Sequence, residues 1–98
     1  MITENLVLYS DSKKKLKHLS IDKDIYVSTM LVNGAKYVLD NRLEVKKASS
    51  DSYEPFTMKI DEDLKRDIKL FCKLSEVKIK DFWNTVALIV IKKEGEFN

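Results

Sequence analysis

Few side chains of this 98-residue chain fall into an arrangement that a reaction would need. Asp61, Glu62 and Asp63 are three consecutive acids, a type that can hold a cation or move a proton. At the start of a helix the same residues complement the dipole without further explanation. Cys72 is the single cysteine and His18 the single histidine, and neither has the companions that a thiolate nucleophile or a metal site requires. No nucleophile, base and oxyanion donors come together, so the sequence points away from an enzyme, with no metal, no cofactor and no catalytic residue expected. What remains is positive charge. Lys13, Lys14, Lys15 and Lys17 form a run that suits phosphate contact, in particular through Lys13 and Lys14, and equally suits a solvated helix face.

Composition bounds the class. With 44% hydrophobic and 35% charged residues but only two glycines and one proline, the chain reads as a small, mostly helical soluble protein. A lone cysteine makes no internal disulfide and fits a reducing compartment. No apolar run approaches the roughly 20 residues of a membrane helix, and Met1 to Asn5 lacks the pattern of a signal peptide. A cytoplasmic protein without membrane partners is expected. Net charge is +2, too small a surplus to imply a nucleic acid unaided. Residues 1 to 52 carry nine Lys/Arg against seven Asp/Glu, and residues 53 to 98 carry nine of each, so the excess lies in the first half.

The elements that must position these groups fall on either side of a polar, serine-rich stretch, residues 44 to 54, which reads as a linker before Pro55. Residues 1–43 and 55–94 each open with alternating apolar positions and then switch to helical spacing, leaving 95–98 as a tail. A shift of 52 residues places Leu6 on Met58, Leu8 on Ile60, Leu16 on Ile68, Ile25 on Val77, Ala35 on Ala87 and Val38 on Val90. An internal repeat follows. Each unit is expected to hold one strand (Asn5 to Tyr9; Phe56 to Ile60) and two helices (about Ser12 to Asp22 and Ser28 to Asn41; Asp61 to Ser75 and Asp81 to Lys93). Asp61 and Ser28 have N-cap chemistry. Phe82 and Trp83, spaced with Val86, Ala87 and Val90, read as core and not as base-stacking rings. One strand cannot close a sheet by itself, so the expected fold is mostly α with a short two-stranded antiparallel ribbon, a β-α-α-linker-β-α-α pseudo-dimer around one core.

Met58-Lys59-Ile60-Asp61-Glu62-Asp63-Leu64-Lys65, followed by Val77-Lys78-Ile79-Lys80-Asp81-Phe82-Trp83-Asn84-Thr85-Val86-Ala87, resembles the ribbon-helix-helix (MetJ/Arc-type) family. With two units in one chain, the likeness extends to the tandem, TraY-like relaxosome accessory proteins. The resemblance implies double-stranded DNA binding, with the ribbon in the major groove and the N-termini of the second helices on phosphates. Plasmid transfer, plasmid maintenance or repression is the role it implies, with a relaxase or another plasmid protein as a possible partner.

Period-two alternation then names the residues. If Leu6, Leu8, Met58 and Ile60 turn inward, Asn5, Val7 and, at the strand end, Tyr9 turn outward beside Thr57 and Lys59. Asn pairs with adenine, Lys with guanine, and Val or the Thr methyl with a thymine methyl. A slip of one residue would bury Val7 and Tyr9 instead. Ser28 and Thr29 in the first unit, and Lys78 and Lys80 in the second, are the expected phosphate contacts at helix starts. The connection from Arg42 to Glu54, at most roughly 45 Å when extended, permits pairing within one chain or between two, so a monomeric pseudo-dimer and a homodimer both stay open. The competing function is an antitoxin-type protein-interaction module, for which Glu94 to Asn98 offers only a short tail.

Overall fold

Alternation of apolar and polar side chains yields two strands, β1 (Ile2–Tyr9) and β2 (Tyr53–Ile60), and helical spacing yields α1 (Ser10–Lys23), α2 (Val27–Asn41), α3 (Glu62–Ser75) and α4 (Ile79–Lys92). The computed structural model describes residues 1–47 and 52–97. Residues 48–51 of the expected linker and Asn98 of the expected tail lie outside the described residues. The strands pair antiparallel, from Ile2 opposite Ile60 to Tyr9 opposite Tyr53, with Asn5 opposite Thr57 near the middle. Leu6, Leu8, Met58 and Ile60 are buried on one face while Thr3, Asn5, Val7, Thr57 and Lys59 are exposed on the other. The slipped register is therefore not adopted. Each fully buried Leu, Ile or Met contributes about 1.5–3 kcal/mol relative to exposure, and a slip would forfeit that on both strands.

The expectation of a tandem pseudo-dimer with a short ribbon is corrected. Strand, two helices, strand and two helices make one two-stranded antiparallel sheet with four helices, but the two halves do not act as equivalent units. In α4 every residue from Asp81 to Ala87 is buried, whereas α2 buries a single face through Met30, Leu31, Gly34, Ala35 and Val38. β1 buries Glu4, Leu6 and Leu8, while β2 buries only Met58 and Ile60. Where Asn84 is fully enclosed in α4, the residue 52 positions earlier is Val32; where Glu4 is buried in β1, its counterpart is Phe56. The apolar superposition compares only the positions that any amphipathic elements share. The polar residues that decide the packing have no counterpart.

Element starts also shift. The strands are eight residues long, so α1 begins at Ser10 and leaves no room for a free entry turn. Tyr26 holds the N-cap position of α2 and Lys78 that of α4, which places Ser28 and Lys80 inside their helices. Asp61 does occupy the N-cap position of α3, but its side chain makes no capping hydrogen bond. Residues after Asn41 turn over α4, where the Lys46 amide donates to Thr85 Oγ1 at 3.1 Å. The tail is docked: the Gly95 amide closes on the Val90 carbonyl and the Phe97 ring lies 5.3 Å from that of Tyr37.

Gly34 lets α2 and α4 touch. A Cβ there would stand 2.7 Å from Val90 Cγ2 and 3.0 Å from Val86 Cγ1. Gly34→Ala gains about 1 kcal/mol of helix propensity, but both clashing atoms belong to short branched side chains that cannot swing away, and overpacking costs about 1–3 kcal/mol. The variant is expected to unfold at lower urea concentration than the parent, and Val90→Ala in the same chain is expected to recover part of the loss. A higher midpoint for Gly34→Ala alone would contradict the close crossing.

Candidate nucleic-acid interface

The open face of the ribbon collects the residues that sequence periodicity assigned to it. Thr3 stands opposite Lys59, Asn5 opposite Thr57, Val7 opposite Pro55 and Tyr9 opposite Tyr53. At the centre, Thr57 Oγ1 donates to Asn5 Oδ1 at 3.0 Å. That bond fixes the orientation of the Asn5 amide and leaves its NH2 group to donate outward. At one end the Tyr9 and Tyr53 rings lie 5.4 Å apart, and Lys80 Nζ sits 3.9 Å above the centre of the Tyr53 ring. Cation–π attraction thus brings Lys80 from the start of α4 to the end of the ribbon.

The flanks differ from one another. Beside β2, the first turn of α2 and the strand enclose a groove of about 460 Å³ lined by Ser28, Thr29, Asn33, Thr57 and Lys59 among others. Hydroxyls and first-turn amides meet an ammonium group there, a combination suited to an anion. The start of α4 is built differently. Asp81 is buried in its first turn, so a carboxylate already complements the dipole, and the cationic groups at that end are the exposed Lys78 and Lys80. Lys13 is turned back to the ribbon, where its Nζ donates to the Pro55 carbonyl at 2.9 Å. Lys14 lies on the exposed side of α1, away from Leu16 and the core.

The sequence reading missed three positions of this surface, two that hold it in place and one that lengthens it. Asn84 of α4 accepts from the Tyr9 amide at 2.8 Å and donates to the Val7 carbonyl at 2.9 Å and to the Lys80 carbonyl at 2.9 Å. Its side chain therefore occupies the outer edge of β1. Glu4, buried on the inner face, accepts from Trp83 Nε1 at 3.2 Å and pairs with Lys65 Nζ at 3.0 Å. Thr3 extends the open face by one pair. A polar residue amid the apolar rows of α4 was the available signal for Asn84; Glu4 carried none, because the strand was expected to begin after it.

The remaining chemistry is quiet. Burial pushes the Cys72 thiol up from 9.0 to about 11, which keeps it protonated and unreactive near neutrality. Among the described residues no group of three or more His, Cys, Asp or Glu is placed to hold a metal ion. No helix among them is long and apolar enough to cross a membrane. No family model, curated protein or solved structure matches the chain.

Two outcomes are expected. Asn84→Ala strands the Tyr9 amide and the Val7 carbonyl, costing about 2–6 kcal/mol for two orphaned groups, and hydrogen exchange at the Tyr9 amide should accelerate more than the global loss explains. Uniform acceleration across the ribbon would deny Asn84 its local hold. For Cys72, alkylation of the native chain by iodoacetamide at pH 8 should run well over tenfold slower than in urea, and stability should fall as pH rises above the unfolded thiol value of 9.0, since the native state then retains the proton longer than the unfolded one.

Proposed function

We propose that the chain binds double-stranded DNA, laying the open face of β1 and β2 in the major groove. One observation carries the reading: Thr3, Asn5, Val7, Thr57 and Lys59 form one exposed face of a two-stranded ribbon, with an anion-suited groove along β2 and Lys80 of α4 at the Tyr53 end. From Thr3 to Tyr9 the face runs about 20 Å, and a two-stranded ribbon matches the width of the major groove. Asn5 and Lys59 supply base-edge hydrogen bonds, Val7 and Thr57 meet thymine methyls, and Tyr9 works at the margin of the face. Ser28 and Thr29 hold one phosphate, Lys78 and Lys80 another, and Lys13 and Lys14 add charge at the α1 side. The ribbon-helix-helix resemblance supports the same use.

The two strands are chemically unlike, so the preferred site is non-palindromic. No reaction is part of this reading; the chain acts in the cytoplasm by occupying DNA. The biological setting we propose on the resemblance is a plasmid transfer or maintenance site, alongside a relaxase or another plasmid protein, or an operator under repression.

Selection from a random duplex pool, followed by titration across a salt series, tests the proposal. Lys59→Ala should cost about 1–3 kcal/mol on the selected sequence and flatten preference at one base position. Lys80→Ala should weaken all sequences alike and reduce the slope of log K against log salt by about one. A chain that enriches no sequence and shows no duplex binding at low salt overturns the reading.

A further inference from the structure

A second surface remains after the ribbon is assigned. Between α3 and the segment that follows α2 runs a groove of about 1050 Å³. Its rim holds Asp40, Glu44, Asp61, Asp63 and Asp67 against Lys36 and Arg42, five carboxylates to two cations. Two large apolar side chains stand open along its α3 lip, Leu70 at 55% and Leu74 at 76% exposure. Asp63, Asp67, Leu70 and Leu74 are spaced to follow one another along a single stripe of the helix.

The chain carries the complementary stripe elsewhere. On α1, Lys14, Lys17, His18 and Ile21 lie on the side opposite the buried Ser12 and Leu16. Ile21 is 78% exposed, and Tyr26, just past the end of the helix, is 80% exposed. The order along the two helices agrees. Setting Lys14 beside Asp63 brings His18, with Lys17 adjacent, to Asp67 and Ile21 to Leu70, because both helices rise about 1.5 Å per residue; Tyr26 then falls near Leu74.

We propose that this groove receives α1 of a second copy of the chain, α1 running parallel to α3, so that copies join head to tail. Apolar contact from Ile21 and Tyr26 to Leu70 and Leu74 supplies the anchor, and lysine-to-aspartate attraction sets the register. The contact is heterologous: any run of copies leaves one basic helix free at one end and one acidic groove free at the other, and the chain of copies does not close by twofold symmetry. A single helix in a groove buries less than a stable interface needs, so association is weak, in the millimolar range, and falls with salt. Among the described residues Asp63 of the rim pairs with Arg66 at 3.3 Å, an exposed pair that contributes little and can be exchanged. The groove is separate from the ribbon face, and although Lys14 of α1 serves in both readings, the contact between copies stands or falls without DNA.

Sedimentation equilibrium of the full chain to about 1 mM at low salt, with no DNA present, tests it. The parent is expected to associate, and Lys17→Glu/His18→Glu and Asp63→Lys/Asp67→Lys are each expected to weaken association at least tenfold while keeping the helical circular dichroism. Mixing the two variants should restore it, because the reversed helix of one then fits the reversed groove of the other. Ile21→Ser, which changes no charge, should weaken association at high and low salt alike. A parent that stays monomeric at 1 mM, single variants that still associate, or a mixture that fails to recover overturns the proposal, as does capture in the groove of a lysine-rich helical peptide by a chain that never binds itself.

Discussion

A two-stranded ribbon is marginal in water because each strand has only one neighbour. Helices over one face bury its apolar side chains but leave the outer edges with unpaired amides and carbonyls. Asn84 answers that requirement on β1. One amide side chain bonds the Tyr9 amide, the Val7 carbonyl and the carbonyl of Lys80 on its own helix, fixing the strand edge and the start of α4 relative to each other. The position of Lys80 over Tyr53 follows from it. On the other outer edge the solution is different: Pro55 has no amide to satisfy, and its carbonyl takes the Lys13 ammonium. A proline is tolerated there because its missing donor would face away from the ladder.

How much of this was legible depends on the kind of residue. Alternation of Leu6 and Leu8, and of Met58 and Ile60, fixes which face of each strand is buried, and with it the open positions of Asn5, Val7, Thr57 and Lys59. The helices around Leu16, Val38, Ile68 and Val90 are equally readable, since burial of large apolar groups dominates their energetics. Their first residues are not. Ser28 has the chemistry of a cap, yet Tyr26 holds that position, because the short turn after Asp24, which takes a left-handed conformation at φ 54°, already commits the chain to helix at Val27. Local capping preference of about 1 kcal/mol yields to the geometry of the turn.

Polar residues inside the core were not legible by periodicity. Glu4 looks like the polar start of a strand, but its carboxylate is enclosed between Trp83 and Lys65. Its burial makes sense only with the partners known, since an unpaired buried charge costs several kcal/mol and a paired one roughly balances. The same reasoning explains why an apolar superposition overstated the equivalence of the halves. Sequence positions that match in hydropathy can differ in the polar group that joins one element to the next.

That inequality shapes the surface. β1 is held from the side by an amide in α4, whereas β2 borders an open groove lined by Ser28, Thr29, Thr57 and Lys59. Hence the two edges of the ribbon present different things to an approaching anion: hydroxyls and first-turn amides beside the single ammonium of Lys59 at the α2 edge, ammonium groups without such donors at the α4 end. The first are directional and need a phosphate at a definite place; the second act as point charges on flexible stems and accept a range of positions. Under the proposed binding mode, one edge sets the register of the protein on a duplex and the other adds affinity. The division arises from Asp81, whose buried carboxylate occupies the first turn of α4 and leaves α2 as the helix with an unoccupied start.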